Sequence, residues 1–514
     1  MKKYLYLLGI VALAFSCSYE AEQEVVPTVQ DLAPATIPVN DINKAISNSL
    51  RQTDEFNWSS LESNYISSAA NAFDSTITVG YQPAGFQNLD SRMAAIDVNS
   101  KEWVEARKAV IGQIQNVYND LGINEDVEEK ITRIHETLPY FHIQTTEVEV
   151  VDRLRSSEYS RYVEPRSYEF EMVSENGANN HRELSDSGCG EDDNPTINSE
   201  DYTLVAPGAK ASWVYYEHNI PNAWNYSTGD NIGVGLIDTG LSPNQVKLNG
   251  QFSSDYSTGR SVHKYGKFVD SWWPWSSTTD GPDDKCGHGT SMAGAIGAPR
   301  NNDGMAVGVA YRSDLYSVRA VEDVIISSGH EKDGVSDAYV LLGNKSNVKI
   351  ISMSLGTPIS SGQVADAIRY AYARGKLIFC AAGTSTSFTS WYGVIFPATM
   401  NETVAVTGIK DNGYNRCDVC HDGSKVDFAV EMERASTGKK SLTLPLRGYG
   451  TEYVGGSSIA TAITAGSAAL VWSRNPSWNR ATVLGKLKAA SDFYPSRNSD
   501  FGWGTIDVLQ AVQN

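Results

Sequence analysis

The chain is 514 residues long and carries 61 acidic against 42 basic side chains, a formal charge of −19. Nucleic-acid backbones are held by clustered Lys and Arg, so this balance excludes a nucleic-acid partner. With 41% hydrophobic and 20% charged residues the composition is that of a folded protein with room for two or three domains, and six cysteines are too sparse for a small disulfide-stapled scaffold.

Lys2 and Lys3 precede an apolar run from Tyr4 to Phe15. That run falls short of the roughly 20 residues a spanning helix needs and matches the apolar core of an export signal. It ends in Leu13-Ala14-Phe15-Ser16-Cys17, which resembles a bacterial lipoprotein box, so residues 1–16 are predicted to be a signal peptide and Cys17 the lipidated residue. The plainer alternative is a secretory signal in which Cys17 plays no part. Residues 17–45 read as an acidic tether that becomes rich in Pro, Thr and Asn. No later run is long and apolar enough to span a bilayer, which places the remainder outside the cytoplasm, periplasmic or cell-surface, and released if processing separates it from the anchor.

Residues 46–182 read as an α+β module. Apolar groups at helical spacing, among them Trp103, Ala106, Val110, Ile114 and Val117, predict helix over 46–118. Residues 140–143 read as a strand, 147–154 as a helix and 159–170 as extended chain. Residues 183–200 are polar, contain Glu191-Asp192-Asp193 and Pro195, and predict an exposed, protease-sensitive linker. From 201 to 514 short apolar runs at 232–237, 349–353, 376–380 and 404–406 alternate with helical stretches at 291–298 and 363–373. Strands buried on both faces that alternate with helices predict an α/β domain with a largely parallel sheet.

Three segments in this domain carry chemistry. Asp238 follows the strand at 232–237, His288 opens a small-residue helix in Cys286-Gly287-His288-Gly289-Thr290, and Ser458 opens another in Gly455-Gly456-Ser457-Ser458. Singly, each has an ordinary explanation as a cap or a turn. In the order Asp, His, Ser they resemble the subtilisin-like serine peptidases, the subtilase family. Ser354-Leu355-Gly356 is similar to the family's substrate-binding strand, Ala381-Ala382-Gly383 to the segment beside its specificity pocket, and Phe501-Gly502-Trp503-Gly504 to its C-terminal turn. The resemblance implies a three-layer α/β/α domain, a serine endopeptidase acting on proteins or peptides, and an Asp238, His288, Ser458 triad. The pocket beside 381–383 is expected to admit an apolar side chain. No cofactor is required.

The chain departs from the family pattern in places. Thr384 stands where the family has an asparagine that donates to the oxyanion, leaving Thr384 and the Ser458 N–H as the expected donors. The second expectation, set against an active peptidase, is therefore an impaired homologue that binds peptides without cleaving them efficiently. Ala462 replaces a proline. Cys417-Asp418-Val419-Cys420-His421 reads literally as a haem attachment motif, but its place in a surface loop favours a local disulfide or a pair of free thiols over haem or a metal. Asp280, Asp283 and Asp284 form an acidic loop that is either a calcium site, as the resemblance allows, or a solvated turn. With Cys17 lipidated, five cysteines remain and at least one has no intramolecular partner.

Tyr140 to Pro165, ending in Arg161-Tyr162-Val163-Glu164-Pro165, resembles the end of a subtilase propeptide, which implies autoprocessing within 183–200. The acidity is placed accordingly. Residues 18–200 carry 33 acidic and 13 basic groups, whereas 201–514 carry 28 and 27, so the excess negative charge belongs to the leader rather than to the peptidase domain.

Overall fold

The computed structural model describes residues 36–173, 189, 196–271, 276–385 and 393–514. The signal segment, Cys17, the first part of the tether and most of the linker lie outside the described residues.

The N-terminal module begins earlier than expected. Helix α1 (Val39–Thr53) buries Ile42, Ile46 and Leu50, spaced four apart on one face, so the helix takes in the last seven residues of the segment read as tether. After α2 (Ser63–Ala72) comes strand β1 (Thr76–Tyr81), inside the stretch 46–118 read as wholly helical. Its Thr76, Ile77, Thr78, Val79 run is β-branched and favours extended chain. Helix α3 (Lys101–Asp120) buries the apolar stripe from Trp103 to Val117 as expected. Strands β2 (Ile131–Ile134) and β3 (Tyr140–Gln144), helix α4 (Val148–Arg155) and strand β4 (Ser160–Pro165) complete the module. Its four strands pair antiparallel in the order β2-β3-β1-β4.

The larger domain holds β5 (Gly233–Asp238), β6 (Val262–Gly266), α5 (His288–Gly297), β7 (Asp314–Arg319), α6 (Gly329–Gly343), β8 (Val348–Met353), α7 (Gly362–Ala373), β9 (Leu377–Ala381), β10 (Thr403–Lys410), β11 (Phe428–Glu433) and α8 (Gly456–Ser473). Seven strands form one wholly parallel sheet in the order β11-β10-β9-β8-β5-β7-β6. Alternate strand residues feed two cores. Ile351, Met353, Ile378 and Cys380 pack with α6 and α7, while Val234, Leu236, Ile350 and Phe379 pack with α5 and α8, giving three layers. Helix α8 is buried on nearly every side, and its Thr461, Thr464 and Ser467 hydroxyls donate to carbonyls one turn back, which lets a polar helix sit in an apolar layer. The strand order reverses between β5 and β8, and the carboxyl ends of strands at such a point form a crevice.

The N-terminal module sits on α6 and α7, and its apolar residues share one continuous core with theirs. Charges tie the contact. Asp333 of α6 accepts from His142 Nε2 (2.8 Å), Arg166 (2.9 Å) and Gln363 Nε2 (3.0 Å), with Arg133 3.3 Å away. Burial alone would raise the Asp333 carboxyl, yet the Arg133, His142 and Arg166 partners hold it well below the usual carboxylate range. Asp366 of α7 pairs with Arg161 (2.5 Å), and Glu164 caps the first turn of α7 by accepting from the Gly362 N–H (2.9 Å). Asp333→Asn would break the pairs with both arginines, leaving buried Arg166 with Asp74 as its one carboxylate among the described residues and part-exposed Arg133 with Asp337. Breaking such a pair costs about 3–5 kcal/mol, so the full chain carrying Asp333→Asn is expected to unfold at a clearly lower urea concentration and to lose protection of the module against a test protease first.

Candidate functional site

The crevice at the strand reversal collects the predicted residues. Asp238 ends β5, fully buried, and accepts from His288 Nδ1 (2.7 Å) and from the Thr239 N–H (2.8 Å). His288 is the first residue of α5. Gly287 before it has φ 100°, and a Cβ on Gly289 after it would stand 2.4 Å from the Gly240 carbonyl, so the helix start can approach the end of β5 only with glycine at both places. The turn is fixed by Asp284, whose carboxylate takes five hydrogen bonds, from Thr239 Oγ1, the Cys286, Gly287 and Thr290 N–H groups and Thr290 Oγ1. Burial pulls the His288 imidazole toward its neutral form, but the Asp238 charge and hydrogen bond outweigh it and leave the pKa above 6.5.

Ser458 is the third residue of α8, half-buried, with its hydroxyl 3.5 Å from the Ser354 carbonyl, while Ser354 Oγ donates to the Ser458 carbonyl at 3.0 Å. Its N–H belongs to the first turn, where backbone donors have no partner inside the helix. Gly383 N–H donates to Ser457 Oγ (3.2 Å). The structure thus brings Ser354 and Gly383, leading out of adjacent strands β8 and β9, against the turn that carries Ser458. Gly356, Ala381 and Ala382 continue these two segments, whereas Leu355 is buried in the core. Thr384 is also here, but its hydroxyl accepts from the Ser457 N–H (3.2 Å) and lies 2.9 Å from Ser457 Oγ.

The family model for the subtilase family matches residues 229–504. The chain belongs to the subtilase family. Subtilisin from Bacillus pumilus is 30% identical over 286 residues, covering 56% of this chain and 92% of that protein. Subtilisin E from Bacillus subtilis is 30% identical over the same length, covering 67% of that protein. A solved structure of proteases from Pseudoalteromonas arctica has 24% identity and a TM-score of 0.47, over 59% of this chain and 96% of that one. As a subtilase the chain is a serine endopeptidase, and proteins are its substrates.

Several residues of this subtilase have roles that sequence reasoning missed. Asp284, read as part of an acidic loop, either a solvated turn or a calcium site, is the hub of the His288 turn. Asp280 pairs with Lys285 and Arg319 (2.9 Å each), and the Asp283 carbonyl accepts from Arg319. Asp284 is committed to protein donors, whereas Asp280 Oδ1 is buried without a partner among the described residues, and these contain no group of three or more His, Cys, Asp or Glu placed to hold a metal. Cys189, from the linker, is bonded to Cys286, two residues before His288, while Cys380 is free and buried against Tyr339.

The Cys417 and Cys420 sulfurs form a disulfide, so neither is left for haem attachment or metal ligation. The segment they close pairs antiparallel with the one that carries Thr384. Ser385 N–H donates to the Val419 carbonyl and His421 N–H to the Gly383 carbonyl, with Thr384 opposite Cys420. His421 is buried beneath Gly383. Its Nδ1 faces the Gly393 carbonyl (3.0 Å) and must donate, so Nε2 accepts from the Ser385 hydroxyl (2.7 Å). Burial lowers its pKa to about 4. The spacing of a CxxCH motif announces a cofactor, and only the partners at 383–385 and 393 reveal a clamp.

A histidine held neutral contributes stability in full above pH 6.5, the unfolded value, and loses it as the pH falls toward 4 while the unfolded chain takes the proton first. The shift corresponds to about 3 kcal/mol. In His421→Asn the stability deficit relative to the parent is expected to be largest above pH 7 and to shrink by roughly that amount by pH 4, read from urea midpoints across the range.

Proposed function

We propose that Asp238, His288 and Ser458 act as one unit that cleaves peptide bonds through an acyl-enzyme. The observation that carries this reading is the 2.7 Å bond from His288 to buried Asp238; Ser458 heads a long buried helix that packs on the helix His288 opens. A serine hydroxyl is a weak nucleophile until a base takes its proton. His288 Nε2 accepts that proton as Ser458 Oγ attacks the carbonyl, then passes it to the leaving amine. Asp238 keeps the proton on Nδ1, so that Nε2 is the free base, and stabilises the imidazolium that forms. The Ser458 N–H, with the positive end of α8 behind it, faces the developing oxyanion. Water then repeats the sequence to release the acid.

A second reading, an impaired homologue that holds peptides, is favoured by one observation. The Thr384 hydroxyl already interacts with Ser457 and is not poised as the family's amide would be. Loss of that donor in subtilisin itself costs roughly 100- to 1,000-fold in turnover. The triad reading is retained because residual catalysis remains substantial when one donor is missing. A serine-directed phosphonate is expected to label the parent and not Ser458→Ala. Labelling should rise with pH through a midpoint above 6.5, because His288 must be neutral to act, and Thr384→Asn should hydrolyse unfolded casein about 10-fold or more faster. No label at Ser458, with no casein cleavage, would favour the binder.

The export and anchoring readings belong to the same proposal. The chain leaves the cytoplasm as a lipoprotein held at Cys17, with the module at 46–182 as its prosegment and 183–200 as the region it cuts. The charge distribution supports this division. Among the described residues no helix is long and apolar enough to cross a membrane, so attachment would fall to the lipid. Labelled palmitate is expected to enter the parent and not Cys17→Ala; equal incorporation would remove the anchor.

A further inference from the structure

Ser354 and Gly383 both touch the turn that presents Ser458, so an acyl group on Ser458 Oγ stands at the head of the slot between 354–356 and 381–383. A third segment closes that slot. Ile395 N–H donates to the Ala382 carbonyl (2.9 Å) on one wall, and Thr357 N–H, just beyond the other wall, donates to the Phe396 carbonyl (2.9 Å). The Ile395 side chain crosses between them. Its Cδ1 and Cγ1 are the atoms nearest to where a Cβ on Gly356 would stand, at 2.5 and 3.1 Å. Gly356 therefore lacks a side chain because Ile395 already lies against it. Ile395 also lines, with Leu50, Asp54, Pro358 and Phe396, a small space of about 10 Å³, no more than one water needs.

Resting on the peptidase reading, we infer that Ile395 fills the slot for the side chain on the acyl side of the scissile bond and restricts that residue to glycine, alanine or serine. This reverses the expectation of a pocket open to a large apolar group. Two methyl-sized groups beyond Cβ meet the Ile395 branch, and each group that a pocket rejects changes turnover by about 10- to 200-fold.

The test compares two peptidyl diphenyl phosphonates, one with alanine and one with phenylalanine at the position next to phosphorus, by their rates of labelling Ser458 in the purified full chain. The alanine probe is expected to label at least about 100-fold faster. The ratio should fall at least about 10-fold in Ile395→Gly and by less in Ile395→Val, the milder change that guards against a folding defect in the first. A phenylalanine probe that labels the parent as fast as the alanine probe, or a ratio that neither variant moves, overturns the slot assignment while leaving the peptidase intact. Failure of both probes to label Ser458 in chain shown to be folded by circular dichroism overturns the peptidase reading and this inference with it.

Discussion

The alignment of Asp238 with His288 depends on a carboxylate that takes no part in the chemistry. Asp284 receives five donors, three of them main-chain N–H groups at the start of α5 and two of them threonine hydroxyls, one of which is Thr239 beside Asp238 itself. Helix starts leave their first N–H groups unpaired, and here one side chain satisfies them and at the same time joins the helix start to the end of β5. The imidazole is thereby placed on Asp238 by the backbone rather than by its own rotamer. The Cys189–Cys286 disulfide attaches the linker to this same turn, so the linker is covalently joined to the element that carries His288.

The charge of the leader has a second aspect once the interface is visible. The segment before residue 201 is strongly acidic, yet it meets the larger domain through its cations. Arg133, Arg161 and Arg166 come from the module, with His142 beside them as a donor whose pKa burial lowers, and Asp333, Asp337 and Asp366 come from α6 and α7. Glu164 is the exception, buried, pushed up to about 7 by desolvation and held by the Gly362 N–H. Complementary pairing at the contact and like-signed charge elsewhere give a leader that docks in one orientation and stays soluble in front of a nearly neutral domain. Tyr162 adds shape to this specificity, since its ring lies so close to Gly80 and Gly362 that a Cβ at either would fall within 2.6 Å of it.

What the sequence made legible was local. Asp238, His288 and Ser458 stand out because each sits among small residues at a strand end or helix start, and the four apolar runs recover strands of the parallel sheet. β1 was hidden because its alternating Ile77, Val79 and Tyr81 make only a short run between longer helical stretches, and α1 because its polar face resembles a tether. Asp284, His421 and Ile395 were beyond reach for a different reason. Asp284 is one of three acids in a loop, and nothing in their spacing shows which one turns inward. His421 acts on residues 28 and 36 positions away, and Ile395 matters only because Gly356 comes to rest against it. Long-range placement decides each case, and periodicity carries no information about it.

That placement also explains why the departures of this subtilase cluster. Thr384 lacks the reach of an amide, and the backbone that bears it is held more firmly than a lone loop would be, by pairing with Cys420, by the disulfide behind that pairing and by the His421 clamp. His421 holds Gly393 through the same ring, so the segment that carries Ile395 and the segment that carries Thr384 are fixed to one imidazole. A donor that cannot adjust and a slot that cannot widen therefore have one origin. Restoring the amide alone would leave the slot narrow, and emptying the slot alone would leave the oxyanion short of a donor; because both segments share the His421 ring, the two effects on turnover should depart from simple addition.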